Sequence, residues 1–583
     1  MCQSLRGTKQ SHTYMQLLQH FKELTIHPKN AEELKGLILQ LAVQGKLTAD
    51  WRTNNPNVEK ASDNLERIKA EKKLQIVKES EFPFRLNSSW EWAKFIDVAE
   101  LRHGHQFRKY DFVEDGIPVI KIGQCKSDGT LDFSKCNYID SSRKDEFEND
   151  LIFKGHLLMA LTGGTLGKVT RVDKDYGVLV QNYRVGNFFA DERVITLDFL
   201  NVILESELFQ SLVREKINQN AQPNIGKDSI EKIVMPIPPL EEQKEIVKVV
   251  ETLFKEVEQL EQATVKRIGL KEDFVTSALH QLTTNNAKRE WSFLQEHFKS
   301  FFDETTNIKK LRETVLQLAV QGKLTADWRQ QKFLSGAEVE DASQLLKRIQ
   351  EEKAQLIKEK KIKKEKPLPP ITKEEIPYEL PDGWVWCRLQ DLVNVGTGST
   401  PAKSNSSYYD GIIPWYTSSA TNDLYAKESE KLITEKALQE TNCKVFPKGT
   451  LIIAMYGQGK TRGQISELVI PGATNQAVAA MVFYKTSKEF KEYIKYFFRK
   501  IYDEIRLLAE GGAQPNLNVG KIKNTILPLP PLEEQKAIVA KVNALMGLCD
   551  KLEQEVQQSQ EHSEQLMQSV LREVFEGEKR ELV

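Results

Sequence analysis

The chain has 583 residues, 40% hydrophobic and 28% charged, with a net charge of −1. That is apolar material for roughly three to five domains, and the near-neutral balance excludes a uniformly basic protein while allowing a local basic groove. Six scattered cysteines (Cys2, Cys125, Cys136, Cys387, Cys443, Cys549) without a CxxC pair argue against a disulfide scaffold or a zinc site, and no uncharged run nears ~18 apolar residues, so a soluble cytoplasmic chain is expected.

Residues 1–82 open with "MCQSLRGTKQSHTYMQ", which has no apolar core, so no signal peptide is expected. They then carry "LQLAVQGKLTADWR" from Leu39 to Arg52, and the same fourteen letters return from Leu316 to Arg329. Chance does not supply such a match, so the chain holds an internal duplication. The match extends outward: "ASDNLERI" from Ala61 with "ASQLLKRI" from Ala342, and "PFRLNSSWEW" from Pro83 with "PYELPDGWVW" from Pro377. It ends with "AQPNIGKDSIEKIVMPIPPLEEQKEIV" from Ala221 and "AQPNLNVGKIKNTILPLPPLEEQKAIV" from Ala513.

The segment 83–239 breaks short apolar runs ("GIPVIKIGQC", "HLLMALTGG") with Gly, Asn, Asp and Pro, which reads as strands and turns of a compact α/β domain. At 240–285 the pattern turns helical. Proline and Glu-Glu at the start suit a helix N-terminus, and Ile246, Val250, Leu253, Val257 and Leu260 recur at heptad spacing. The helix should run about 45 residues, to near Thr284, or roughly 65 Å.

Residues 286–376 repeat the opening framework. "KRIQEEKAQLIKEKKIKKEKPLPP" from Lys347 then reads as a solvated helix entering a Pro-rich linker. Residues 377–531 form the second insert, with "GIIPWYTSSA" and "GTLIIAMYGQG" as strand–turn segments. Between the matched ends the inserts share only scattered patches. "KGHLLMALTGGTLGK" from Lys154 lines up loosely with "KGTLIIAMYGQGKTRG" from Lys448, and "LVQNYRVGNFF" resembles "GATNQAVAAMVF" in placement only. In 532–583 a second heptad seam follows: Ile538, Val542, Leu545, Cys549, Leu552 and Val556. Neither seam can bury itself alone. The two helices are expected to pair with each other, a homodimer through them being the alternative.

Catalytic signatures are missing. "GQGKT" at Gly457–Thr461 has Ala454 where a P-loop needs glycine, and the next segment reads as strand. "GGTLGK" at Gly163–Lys168 fails in the same way, with Thr162 and Val169 at the required positions. His103 and His105 find no third ligand at metal spacing. No Asp/Asn-Pro-Pro-aromatic tetrapeptide of the kind amino-methyltransferases need occurs.

Two divergent inserts alternating with a duplicated framework, each insert ending in "PPLEEQ" before a heptad helix and each framework carrying "LAVQGKL", resemble the specificity (S) subunit of type I restriction-modification enzymes. The chain is similar to the long form, with framework ahead of the first insert. The resemblance implies an α+β fold: two α/β target recognition domains in pseudo-twofold arrangement, joined by two long antiparallel coiled-coil helices. It further implies a non-catalytic chain whose inserts each read half of a bipartite, asymmetric DNA site while the helices set the gap. Two methyltransferase (M) subunits would dock on the framework, through Gln44, Lys46, Trp51, Gln321, Lys323 and Trp328, and restriction (R) subunits would complete the nuclease. No cofactor is expected in this chain; S-adenosylmethionine, ATP and Mg are implied for the partners. The competing readings are a coiled-coil scaffold with two ligand-binding inserts and a self-contained enzyme.

Base readout needs donors and acceptors on exposed loops, and phosphate contacts need cations and hydroxyls. The first insert offers Arg102, His105, Gln106, Arg108 and Lys109, with Lys168 and Arg184. The second offers Thr397, Ser399, Lys403, Tyr456, Gln458, Lys460 and Arg462. Gln222, Asn224, Gln514 and Asn516 occur in both copies and read as structural turns. Residues 83–240 carry 20 basic and 23 acidic groups, a balance of −3; residues 378–531 carry 18 and 15, a balance of +3. Since non-specific affinity comes mostly from phosphate neutralisation, the chain alone is expected to bind DNA weakly.

Overall fold

The computed structural model describes residues 29–69, 71–126, 128–217, 223–284, 288–429, 431–457, 460–484, 487–510 and 517–576. Gln222, Gln458, Gln514, Asn516 and Cys2 lie outside them. Two compact units divide the chain: Met1–Gly269 with Gln560–Val583, and Leu270–Ser559.

In the first unit the framework opens with helix α1 (Lys29–Val43). Its apolar residues Leu34, Leu37, Ile38, Leu41 and Ala42 recur at helical spacing and are all buried. The helix stops at Gly45, whose φ of +68° a side chain would resist, and Lys46 N donates back to the Leu41 carbonyl at 3.0 Å. Helices α2 (Ala49–Asn54) and α3 (Ala61–Lys69) follow.

A carboxylate organises this framework. Glu242, the second glutamate of "PPLEEQ", is 0% exposed. It accepts from Thr48 Oγ1 (2.7 Å) and Trp90 Nε1 (2.9 Å) and is paired with Arg52. Arg52 also donates to the Gly45 carbonyl at 2.6 Å, so helix stop and carboxylate share one guanidinium. A Cβ on Gly45 would meet the Trp90 ring at 2.9 Å.

The second unit repeats this arrangement. Glu534, 1% exposed, accepts from Thr325 (2.6 Å) and Trp384 (2.8 Å) and pairs with Arg329, which donates to the Gly322 carbonyl at 2.6 Å. Two of the three donors, the threonine and the arginine, lie in the repeated string, so the string closes on its own unit's "PPLEEQ".

Each insert begins and ends on one two-stranded ribbon: β1 (Glu91–Lys94) with β10 (Val234–Ile237), and β11 (Val385–Arg388) with β21 (Ile526–Leu529). Trp92 faces Pro236 and Trp386 faces Pro528. A two-stranded ribbon leaves each strand a free edge, which is where a strand proline is tolerated.

Within the ribbons the inserts share one wiring. The first has a sheet of β2 (Ala99–His103), β9 (Val185–Ala190), β6 (Leu157–Ala160) and β7 (Val169–Arg171), in that spatial order. Its second sheet orders β4 (Asn137–Ile139), β3 (Ile117–Ile120), β8 (Leu179–Gln181) and β5 (Leu151–Ile152). The second insert repeats the first sheet as β12 (Val393–Thr397), β20 (Val478–Phe483), β17 (Leu451–Ala454) and β18 (Ile465–Leu468), and adds β14 (Tyr425–Ala426) at the edge. Its other sheet orders β15 (Leu432–Ile433), β13 (Tyr409–Tyr416), β19 (Gly472–Thr474) and β16 (Val445–Phe446). β8 joins β3 in parallel, as β19 joins β13. Side-chain identity diverged while the pairing order did not. The central strands β6 and β17 are buried at every position.

The long helices are α6 (Leu240–Thr284) and α12 (Leu532–Glu576), each 45 residues. Ile246, Val250, Leu253 and Val257 are buried, as are Ile538, Val542, Cys549, Leu552 and Val556; Leu260 and Leu545 are half-buried. The Ile246–Val257 seam belongs to the core of the first unit and the Ile538–Val556 seam to that of the second. In the second unit helix α7 (Thr305–Val320) shares that core, with Ile308, Leu311 and Val315 packed among Val275, Leu279 and Leu282 of α6 and the α12 seam. Helix α7 joins them because it has an apolar face of its own to bury.

Contacts along α7 give the direction of its neighbours. At one end Lys271 of α6 binds Asp303 (2.6 Å) and Glu555 of α12 binds Lys299 (3.4 Å). In the middle Lys310 binds Glu272 (2.8 Å) and Arg312 binds Asp550 (2.6 Å). At the other end Lys323 donates to the Thr283 carbonyl and Lys541 to the Leu324 carbonyl. Numbers rise along α6 and fall along α12, so the two run antiparallel. Each buried aliphatic is worth about 1.5–3 kcal/mol and an exposed ion pair about 0–1. The apolar seam therefore drives the packing.

The Lys/Glu-rich segment departs from the solvated linker expected of it. Helix α9 (Ala342–Lys358) leads into a strap held against the second unit. (Helix α8 spans Ala326–Leu334.) Arg388, 4% exposed, donates to the Pro369 carbonyl (3.0 Å) and pairs with Glu375 (3.1 Å). Gln390 donates to the Lys366 carbonyl (3.0 Å), and Glu365 joins Lys353 (3.1 Å) to Lys523 (2.6 Å). Composition favoured a tether, but the tertiary partners of these groups lie far along the chain.

Removing a partner from a buried, paired charge costs about 3–5 kcal/mol. Glu534→Ala should lower the unfolding free energy by that much in urea titrations followed by circular dichroism, with Glu242→Ala comparable; a loss under about 1 kcal/mol would contradict the role given to this carboxylate. Arg388→Ala should release the strap, read as accelerated tryptic cleavage at Lys363 and Lys364 with the rest of the pattern unchanged.

Candidate nucleic-acid interface

The turn between β8 and β9 is drawn tight by Asn182, whose Oδ1 accepts from Arg184 N at 3.2 Å. Against it lies the loop that leaves β2. His105 N donates to the Gln181 carbonyl (3.0 Å), Tyr183 N to the His105 carbonyl (2.9 Å), and His103 Nδ1 lies 3.1 Å from the Tyr183 carbonyl. The approach is possible because residue 104 is glycine: a Cβ there would overlap the Gln181 carbonyl oxygen. The 162–168 loop adjoins the same turn, Leu161 N donating to the Arg184 carbonyl at 3.1 Å. Three loops far apart in sequence thus meet at one end of the first insert.

The second insert builds the same junction. Asn475 Oδ1 accepts from Ala477 N at 3.0 Å in the turn between β19 and β20. A Cβ on Gly398 would overlap the Thr474 carbonyl oxygen. Met455 N, beside the 456–462 loop, donates to the Ala477 carbonyl at 2.8 Å. The placement shared by "LVQNYRVGNFF" and "GATNQAVAAMVF" is therefore one strand–turn–strand built twice.

The candidate side chains divide. In the first insert Gln106, Arg108, Lys109 and Arg184 are exposed at this end. Arg184 Nε donates to the Tyr183 hydroxyl at 2.8 Å, and its guanidinium lies 5.4 Å from that ring. His105 is exposed but its ring packs between Phe107 (4.8 Å) and Phe147 (4.9 Å). Arg102 pairs with Glu100 (2.8 Å) and lies 4.3 Å over the Phe189 ring. Lys168 is half-buried and donates to the Cys125 carbonyl at 3.3 Å. Arg102 and Lys168 are thus engaged in the insert's own structure.

In the second insert Lys403, Tyr456 and Lys460 are exposed. Thr397 Oγ1 donates to the Val478 carbonyl (3.0 Å), and the Ser399 carbonyl accepts from Trp415 Nε1 (3.1 Å) and the Cys443 thiol (3.2 Å). Arg462 is half-buried, its Nε unbonded. β18 follows the "GQGKT" stretch and β7 follows "GGTLGK", so neither is a phosphate loop entering a helix. Asn224 forms a bridge with Thr162, and the Pro223 carbonyl accepts from Gly163 N (2.9 Å), a turn-like structural role.

Sequence reasoning passed over Tyr183, Lys121 and Gln476. Lys121 Nζ donates to Asn137 Oδ1 (2.6 Å) and lies 4.5 Å over the Phe112 ring; burial, joined by the Arg184 charge, lowers its pKa. Gln476 is exposed and its Oε1 accepts from the Thr400 hydroxyl. The Asn shared by the two turn sequences was the available signal.

On the framework, Lys46 is exposed, Gln44, Gln321, Trp51 and Trp328 are half-buried, and Lys323 is bonded to the Thr283 carbonyl. Among the described residues no helix is long and apolar enough to cross a membrane.

The family described as type I restriction modification DNA specificity domain matches twice, over residues 87–268 and 381–561. The EcoAI type I specificity subunit of Escherichia coli is 30% identical over 561 residues, 89% of this chain and 90% of that one. The EcoEI specificity subunit of the same organism is 28% identical over 575 residues, 91% of each. A solved structure titled as the structural basis of complex assembly and conformational transition of the type I R-M system aligns with a TM-score of 0.51 at 17% identity, over 85% of this chain and 99% of that chain, which shows the shared fold. With its specificity-domain match duplicated across both inserts and their helices, this chain belongs to the type I restriction-modification DNA specificity family.

Proposed function

We propose that the two inserts, residues 83–239 and 377–531, are target recognition domains that each read one half of a split, asymmetric DNA site. The observation that carries this is one scaffold built twice, with an identical Asn-held turn and different side chains around it. A conserved support with divided tips suits two half-sites of different sequence read at a shared geometry. The long helices 240–285 and 532–583 act as the ruler between them, and antiparallel packing suits the dyad of duplex DNA. In the first domain Gln106, Arg108, Lys109, His105 and Arg184 face the duplex; in the second, Lys403, Tyr456, Lys460 and Arg462 do so. Arg102, Lys168, Thr397 and Ser399 hold those loops in place.

The frameworks 1–82 and 286–376 would dock two methyltransferase subunits, with Lys46, Trp51 and Trp328 as their accessible contacts, and restriction subunits would complete the nuclease. Catalysis, with S-adenosylmethionine, ATP and Mg, then belongs to the partners, and the complex works in the cytoplasm. Neither recognition domain is strongly basic, so tight binding depends on the methyltransferase subunits closing on the duplex.

Single-molecule methylation sequencing of the host with and without the gene should lose one split motif on deletion. An unchanged methylome in a host with active partner subunits would overturn the reading. Gel-shift titrations should place the isolated chain at least about tenfold weaker on target DNA than the complex with methyltransferase subunits; equal affinities would overturn the clamp. Gly104→Ala forces the β2 loop off the Gln181 turn and should abolish methylation at the motif while the second unit stays folded, checked by limited proteolysis.

A further inference from the structure

The common scaffold gives the two inserts a residue-by-residue correspondence that their sequences conceal. Gly104 and Gly398 are the two close-approach glycines, against the Gln181 and Thr474 carbonyls. Asn182 and Asn475 hold the two turns through the same bond to the backbone two residues on. Counting from these fixed points, Tyr183 corresponds to Gln476 and Arg184 to Ala477. At the centre of the three-loop junction the first insert therefore presents an arginine backed by a tyrosine. The second presents a glutamine and no cation.

Arg184 is prepared for planar recognition. Its Nε is taken by the Tyr183 hydroxyl at 2.8 Å and its guanidinium lies by the Tyr183 ring. Its backbone is pinned on both sides, by Asn182 and by Leu161 N. Among the described residues no carboxylate pairs with it, no hydrogen bond engages Nη1 or Nη2, and the side chain is exposed. Lys121 adds a second positive charge close enough to feel Arg184. Two cations without a carboxylate repel each other unless an electron-rich group lies between or before them. The pair of free Nη donors in one plane matches the O6 and N7 acceptors that guanine, alone among the bases, sets side by side in the major groove. Fixing the side chain in advance lowers the entropy lost on binding.

We propose that Arg184 reads a guanine in the half-site of the first domain, with Tyr183 as its positioning residue, and that the second domain, with Gln476 and Ala477 at this station, makes no such contact. The inference rests on the reading of the inserts as recognition domains. The guanine acceptors take two N–H bonds from Arg184 while Tyr183 holds the Nε side, and no proton changes hands.

The test uses the assembled methyltransferase complex. Methylation sequencing of the wild type should return a split motif with a guanine in one half. In Arg184→Ala that single guanine becomes degenerate while the other half is unchanged, and Gln476→Ala leaves that guanine unchanged. Loss of a bidentate contact weakens binding about 5- to 150-fold. In vitro, each guanine of the first half-site is replaced in turn by 7-deazaguanine, which lacks the N7 acceptor. One position should weaken the wild type by about tenfold, Tyr183→Phe by less, and Arg184→Ala not at all beyond its own loss. The binding cycle remains readable where methylation by Arg184→Ala is too slow to sequence. An Arg184→Ala motif identical to the wild type, or equal sensitivity of both proteins at every 7-deazaguanine, overturns the proposal and leaves DNA recognition standing. A wild type without any split motif removes the recognition reading itself.

Discussion

Each half of the molecule is rooted in a carboxylate with no access to water. A charge taken out of solvent is tolerated only when its oxygens are filled by donors, and Glu242 and Glu534 draw theirs from two separate segments: threonine and arginine after the framework helix, and tryptophan at the threshold of the insert. The bonds therefore fix framework, insert entrance and long-helix start in one relation. They also explain why the duplicated sequence is conserved in patches. The letters kept include those that donate to the carboxylate and those that, like Gly45 and Gly322, end the helix where the arginine must reach back.

Above that root the inserts were free to change wherever the root does not constrain them. The ribbons β1–β10 and β11–β21 close each insert on itself, so the material between them can vary without disturbing the framework. What stayed constant inside is the order of strand pairing and one tight turn. A turn capped by its own asparagine tolerates almost any residue at its tip, which makes it a suitable carrier for side chains that must differ between two half-sites. Arg184 with Tyr183 and Gln476 with Ala477 are two occupants of that carrier.

Within the second unit the long helices pack against α7 through a seam that is mainly apolar. Ion pairs along α7 are only partly buried and individually weak, but they fall at matching heights on α6 and α12, and so select one register among several that the aliphatic seam would accept. Both the antiparallel course and the position of the third helix follow from this division of labour between apolar area and charge.

Much was legible in the sequence because it depends on local pattern. Heptad spacing located both long helices nearly to the residue, and repetition separated framework from insert. Alternating short apolar runs announced strands, and the missing glycine at Ala454 argued against a phosphate loop before β18 was seen. The choice of site residues was less legible. Arg102, Lys168, Thr397 and Ser399 carry the right groups for DNA, yet Glu100, Phe189 and several backbone carbonyls already engage them or their loops. Lys323 likewise satisfies a helix end, and the strap 359–372 is held by Arg388 and Gln390. The sequence by itself determined which elements form, because helix and strand periodicity are written in neighbouring residues. Only the tertiary structure decided which polar groups remain available, because, Glu100 beside Arg102 apart, their competitors for hydrogen bonds come from tens of residues away and no local pattern records that competition.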